Sequence, residues 1–488
     1  MLSGKGKERA FMLTYPLDKR GSLSLYDYIY TCIKEDILAG NISPGEKLPS
    51  KRSFSKNLGV SVITIENAYS QLLAEGFIYS VEKKGYFAAD IKDLHVCEHQ
   101  YTVRRDCESQ ADSEVVGTSH IIADFASNAV NTDKFPFSQW SRITRNILSD
   151  ARDELLMAAP VKGVAGLREA IADYLYKFRG LKVSENCIVV GSGTEYLYGI
   201  LIQLLGHDKI YAMEDPGYSK VSKILEGNRV RCYHVPIDKQ GMIIDRLNET
   251  GANVVHLTPS HHFPSGIVMP IQRRLEFINW AVSVEGRYII EDDYDCEFRL
   301  QGRPIRTMFE SDLNGRVIYM NTFSKTLAPS FRISYMVLPE NLMKLFEIKL
   351  GYMSCTVPNL EQYVLASFMS EGYFERHINR MRVYYRNRRD EILEAIRESG
   401  LNGKCRIHEE HAGLHFLLEV DTGMRDDELK KRALSKGIKI TCLSDYSYNY
   451  SSHNEHIIIL NYSGIKTGMI RESINLLSDI LNSDISLD

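Results

Sequence analysis

Apolar positions change their period several times along residues 21–90. Leu23, Leu25, Tyr26, Ile29, Ile33, Ile37 and Leu38 recur at helical spacing, and Gly40 is placed to stop that helix. After the turn Asn41-Ile-Ser-Pro-Gly45, the pattern predicts a short helix from Ser50 to about Leu58, with Ser50 as N-cap and Gly59 making the turn. Ser61 then caps a third helix whose apolar face is Ile65, Ala68, Tyr69, Leu72 and Leu73, and Gly76 ends it. Phe77-Ile-Tyr-Ser-Val81, Glu82-Lys-Lys-Gly85 and Tyr86-Phe-Ala88 read as a β-hairpin with a polar tip. Residues 91–120 are polar, charged and poor in large aliphatics, and they read as a linker. From about residue 121, apolar runs alternate with helical segments. The runs include Cys187–Val190, Lys209–Ala212, Asn253–Leu257, Tyr288–Ile290 and Arg316–Met320. A long charged helix is expected over Glu375–Arg397, followed by a smaller α+β portion with strands near His415–Val420 and His456–Asn461.

Two architectures follow. Helix, helix, turn, helix, hairpin is the order of a winged helix-turn-helix. A small helical dimerisation module is the alternative, and a hairpin with a Lys-Lys-Gly tip has no clear use in one. Strands alternating with helices imply an α/β fold with a mainly parallel sheet covered on both faces.

Composition narrows the function classes. At roughly 150 residues per domain, 488 residues predict two to four domains. The net charge of −4 means that any DNA contact has to come from a local basic surface. Nine scattered cysteines form no C-x-x-C pair, so neither a zinc site nor a redox pair is indicated, and a reducing cytoplasm fits best. No signal peptide and no membrane span are expected.

Candidate chemistry sits where the apolar runs end. Gly191-Ser-Gly-Thr-Glu195 opens a helix, where backbone N–H groups and the helix dipole favour an anion; Gly-Ser-Gly is as often a plain turn. Thr258-Pro-Ser-His-His-Phe-Pro-Ser-Gly266 follows a strand at the edge where open α/β sheets bind ligands. Glu291-Asp-Asp-Tyr-Asp-Cys-Glu-Phe298 places several carboxylates at a strand end, suited to a metal or, for one of them, to a cationic ring nitrogen. In Thr322-Phe-Ser-Lys325-Thr-Leu-Ala-Pro-Ser-Phe-Arg332, Lys325 can form a Schiff base with an aldehyde, while Thr322, Ser324 and Arg332 can hold a phosphate. A lone lysine is normally a solvated charge. The ordered set of anion turn, loop, Asp at a strand end and Lys beside hydroxyls and Arg overturns that reading.

With these motifs in place, residues 121–488 resemble fold-type I aminotransferases, and residues 21–90 resemble the GntR-type winged helix, through Leu48-Pro-Ser-Lys-Arg-Ser-Phe-Ser-Lys-Asn-Leu-Gly-Val-Ser-Val-Ile-Thr-Ile-Glu-Asn-Ala-Tyr-Ser-Gln-Leu72. The fusion resembles the MocR/GabR family of bacterial transcriptional regulators. The resemblance implies pyridoxal 5'-phosphate (PLP) on Lys325, Asp292 on the pyridinium nitrogen, Tyr294 on the phenolic oxygen and Tyr218 stacked on the ring. Gly193, Thr194, Thr322, Ser324 and Arg332 would surround the phosphate. A homodimer with two heads, and therefore paired DNA half-sites in a promoter, is implied as well.

On the small domain, Ser61, Thr64 and Asn67 of the recognition helix are expected to reach phosphates or bases. Ser50, Lys51 and Arg52 begin the preceding helix, and Lys83, Lys84 and Tyr86 lie on the wing. Three departures from the family pattern stand out. Val62 replaces an Arg after Ser61, Phe263 stands where Asn usually precedes Pro, and His456-Ile-Ile-Ile-Leu-Asn461 has no Arg for a substrate carboxylate. Lys220 offers a cation without a guanidinium fork. The favoured reading is a PLP-dependent regulator that senses PLP itself or a small amine or amino acid through Schiff-base formation at Lys325. The alternatives are a working aminotransferase with an appended head, and a metal-dependent enzyme using the Glu291–Asp295 carboxylates.

Overall fold

The structure is a computed structural model. It describes residues 13–91 and 121–482, except Ser22, Asn128, Ala129, Ala151, Gln301, Arg303, Pro304, Ala412, Tyr450, Ser451, Lys466 and Thr467. The expected linker, 91–120, lies outside the described residues apart from Ile91. The chain divides into two compact units, one within Met1–Glu114 and one within Val115–Asp488.

The first unit holds helices α1 (Leu25–Leu38), α2 (Lys51–Leu58) and α3 (Val62–Ala74), then a hairpin of β1 (Ile78–Val81) and β2 (Gly85–Ala88). Serines start the last two helices. Ser50 Oγ accepts the Ser53 N–H at 3.2 Å, and Ser61 Oγ accepts the Thr64 N–H at 3.0 Å, each satisfying a donor that the helix leaves over. Gly59 ends α2 at φ 68°, in the left-handed region that favours glycine. Ile29, Ile33, Phe54, Ile65, Tyr69, Leu72 and Ile78 close one core between the helices and the wing.

The second unit is built on a sheet ordered β3 (Ile188–Gly191), β10 (Ser334–Val337), β9 (Val317–Thr322), β8 (Tyr288–Asp292), β7 (Val254–Leu257), β4 (Tyr211–Asp215), β5 (Cys232–Asp238), β6 (Gly241–Met242). The run from β9 through β5 is parallel, and β10 is antiparallel to both neighbours. Strand alternation feeds two cores. Ile188, Val190 and Tyr319 pack on one face; Val189, Ile318 and Met320 pack on the other. The covering helices include α4 (Ala165–Arg179) and α5 (Thr194–Leu205). Helix α6 (Tyr373–Glu398) leads to an antiparallel sheet ordered β11 (Cys405–His408), β12 (His415–Val420), β14 (Ile457–Asn461), β13 (Thr441–Cys442), and α7 (Ile470–Asn482) packs in the same core.

Two strands differ from the sequence reading. The run expected at Lys209–Ala212 forms a strand that continues to Asp215 and carries its turn to the site edge. β10, all of whose residues are buried, is not among the expected runs. No helix among the described residues is long and apolar enough to cross a membrane.

Ser50→Ala and Ser61→Ala should each cost about 1 kcal/mol in the head. Amide hydrogen exchange of α2 and α3 should speed up accordingly, while amides of the large sheet stay unchanged.

Candidate functional site

The carboxyl ends of the parallel strands share one edge, and the polar groups collect there. Asp292 ends β8 and is 8% exposed. Its Oδ2 lies 3.5 Å from Nε2 of buried His256, while Oδ1 has no hydrogen-bond partner among the described residues. The hydroxyl of Tyr198, on α5, faces Asp292, and burial first, then the charge of Asp292 and a side-chain hydrogen bond to it, raise its pKa. Lys325 follows β9. Burial pushes its amine down to about 8, against the opposing charge of Asp295.

An anion cradle lies at the start of α5. Gly193 takes φ 93°, and a Cβ there would lie 2.6 Å from Arg332 Nη2, so only glycine lets the guanidinium come this close. Arg332 itself holds the left-handed conformation at φ 51°. Thr322 Oγ1 accepts the Ser324 N–H at 3.1 Å and the Ser334 hydroxyl at 2.8 Å. Thr194 begins the helix. Glu195 is a residue that the sequence reading missed: its carboxylate pairs with Arg332 at 3.0 Å and with Lys220. Those cations, Lys220 first, hold Glu195 below the usual carboxylate range. Lys220 is thus paired at the surface, its side chain 46% exposed.

Over the other side of the site stands an aromatic cluster. The Phe263 ring centroid lies 5.5 Å from Tyr218, 6.1 Å from Tyr294, 5.5 Å from His415 and 5.1 Å from Tyr446. His261 Nδ1 sits 2.9 Å from Asp295 Oδ2 and 3.1 Å from the Tyr294 hydroxyl. His415 Nε2 donates to the Pro264 carbonyl at 3.0 Å; burial, aided by the charges of His261 and Lys325, drives its pKa down to about 3. Ile459, on the last strand, is 2% exposed and packs with Leu417 and Leu443. The place read as lacking an Arg is thus apolar. His261, His415 and Tyr446 also escaped the sequence reading, since their contacts join distant segments.

The acidic run at the end of β8 is divided among separate tasks. Glu291 accepts the Met308 and Phe309 N–H groups at 2.9 Å, and Asp293 pairs with Arg179 and accepts the Tyr319 hydroxyl at 2.8 Å. No grouping suited to a metal occurs among the described residues. Together the strand ends carry a glycine turn beside Arg332, a buried carboxyl and an amine of lowered basicity.

In the head, Arg52, Asn67, Lys83 and Lys84 are exposed, as a nucleic-acid face requires. Other expected contacts are taken up internally. Ser61 and Thr64 hydroxyls bond each other at 2.8 Å, and Ser50 serves as a cap. Lys51 pairs with Glu66 at 2.6 Å and lies over the Tyr86 ring, which itself packs 5.0 Å from Tyr69.

Comparison with known proteins agrees with both halves. The aminotransferase class I and II family matches residues 121–447, and the bacterial regulatory proteins of the gntR family match residues 25–87. The chain is 38% identical over 461 residues to the uncharacterized HTH-type transcriptional regulator YdeL of Bacillus subtilis, covering 94% of this chain and 97% of that protein. It is 30% identical over 469 residues to the probable rhizopine catabolism regulatory protein MocR of Rhizobium meliloti, covering 94% of each. The chain belongs to the MocR/GabR family of GntR-type transcriptional regulators. Among solved structures, the kynurenine aminotransferase of Pyrococcus horikoshii, determined in complex with PMP, matches with a TM-score of 0.66 and 26% identity, over 76% of this chain and 92% of that one. The second unit of this regulator thus has the fold of an aminotransferase of that class.

Because its pKa is lowered to about 8, the free-amine fraction of Lys325 grows as pH rises through that value, well before surface lysines lose their protons. Competitive amine labelling followed by mass spectrometry should show this. Asp295→Asn removes the opposing charge and should move the midpoint further down.

Proposed function

We propose that this regulator binds DNA through residues 21–90 and holds PLP in residues 121–488, on Lys325. The observation that supports the reading is a buried amine of lowered basicity at Lys325, on the same sheet edge as the buried carboxyl of Asp292 and a glycine at 193 that lets the Arg332 guanidinium approach the start of α5. The residues fit the cofactor. Asp292 Oδ1 is free to take a protonated ring nitrogen, Arg332, Thr322, Ser324, Gly193 and Thr194 suit the phosphate, and Tyr218 borders the space between. Tyr294 stands ready for the phenolic oxygen. When bound, PLP supplies an aldehyde that primary amines capture reversibly. Lys325 would hold the cofactor in the absence of a competing amine, and the two occupancies would provide the two states that a switch needs.

The signal on this reading is PLP itself or a small amine or amino acid. A working aminotransferase is the second reading, favoured by Lys325 and Asp292. Against it, the last strand, His456–Asn461, offers no Arg for a substrate carboxylate. A cytoplasmic homodimer with two heads on paired promoter half-sites completes the proposal.

Borohydride treatment of the protein with PLP should fix the cofactor on Lys325, read by peptide mass spectrometry; an adduct on another lysine overturns the site. Gly193→Ala should weaken PLP binding at least about tenfold, the scale of one displaced charged contact. The protein should shift DNA from upstream of its own or a neighbouring gene. Lys83→Ala with Lys84→Ala should weaken all sequences about equally. Titration with amines and amino acids then separates the signals, since a panel without spectral effect points to PLP.

A further inference from the structure

The first turn of α3 carries two large aliphatic side chains that the head does not bury. Ile63 is 68% exposed on the face away from the core, and Val62 is 42% exposed at the helix start, in line with Ile65 and Tyr69 but beyond the sealed core of Ile65, Ala68, Tyr69 and Leu72. Neither Val62 nor Ile63 packs against that core. Ile63 shares its face with polar Asn67, Ser70 and Gln71, so the two adjacent aliphatic side chains stand out at the start of an otherwise polar surface.

Their surroundings point to one occupant. From Lys47 to Ile65 the chain has Lys47, Lys51, Arg52 and Lys56 and no carboxylate. The wing tip adds exposed Lys83 and Lys84. The first acid of α3, Glu66, is neutralised by Lys51 at 2.6 Å. An apolar spot framed by cations is a poor match for an apolar protein surface and a good match for a polyanion that has apolar groups in its groove. In duplex DNA that group is the C5-methyl of thymine, presented in the major groove. In helix-turn-helix proteins the first turn of the second helix is the part that meets base edges.

We propose that Val62 and Ile63 read thymine methyl groups, so that each half-site carries A·T pairs beneath the start of α3. The inference rests on the DNA-binding reading of the head. The cations position the duplex without regard to sequence, and the two aliphatic side chains supply discrimination.

The test uses the full-length protein and a random-sequence duplex pool from which bound duplexes are selected. Selected duplexes are then remade with uracil in place of single thymines, which deletes only the methyl group. Affinity is measured at one fixed salt concentration. Uracil at one or two positions per half-site should weaken binding about fourfold each, the ratio given by burial of one methyl-sized group. Ile63→Ala or Val62→Ala should bind thymine and uracil duplexes alike at the position concerned. Both residues are exposed and Ala is a good helix former, so the variants retain the fold. Enrichment with indifference to uracil overturns this inference alone. The same holds if Ile63→Ala changes the oligomeric mass and leaves base preference intact, which assigns the patch to a protein contact. If no duplex is enriched at all, the DNA-binding reading fails and this inference falls with it.

Discussion

Placing a carboxyl group where water cannot reach it, with one oxygen lacking a donor, works against folding unless something compensates. Asp292 is buried at the end of β8, with His256 the partner of one of its oxygens. The parallel strands bring their carboxyl ends to one edge, so residues far apart in sequence meet there: His256 from β7, Asp292 from β8, and Lys325 just beyond β9. Hydrophobic burial on both faces of the sheet sustains this arrangement, because the alternating aliphatic residues of β3 and β9 leave little freedom of register. The site inherits its geometry from the sheet rather than from contacts among its own members.

Part of this was legible in the sequence. Runs of buried strand residues end sharply at polar stretches, so Asp292 and Lys325 could be placed at strand ends by pattern alone. The serine caps of the head were equally visible, since Ser followed by a helical apolar face is a local signal. Other features were not. Glu195 in a first helical turn reads as an ordinary complement to the helix dipole, and nothing local shows that it joins Arg332 to Lys220. The ring contacts of Phe263 reach Tyr218, Tyr294, His415 and Tyr446, which only the closed fold makes neighbours. Ser61 and Thr64 looked available to DNA because periodicity marks a face and does not reveal that two hydroxyls on it satisfy each other.

The departures from the aminotransferase pattern gain coherence when taken together. Ile459 packs into an apolar cluster, so the last strand contributes tight packing where an arginine would have demanded a charge. Phe263 has four rings around it in place of a polar contact. Both changes exchange directional hydrogen bonding for shape. A protein under selection for turnover needs groups that grip a charged substrate and release the product. One under selection for signalling needs a stable pocket whose two occupancies differ in packing.

The small chain of groups beginning at Lys325 has a mechanical meaning. Its charge is felt by Asp295 and by His415; Asp295 holds His261, and His415 holds the carbonyl of Pro264. His415 begins β12, a strand of the antiparallel sheet, while His261 and Pro264 belong to a loop of the parallel one. Gly413, two residues earlier, leaves so little room that a Cβ there would fall 1.9 Å from the His261 ring. The seam between the two sheets is therefore closed so tightly at Gly413 that a side chain there would have to displace the His261 ring, and with it the ring's bond to Asp295.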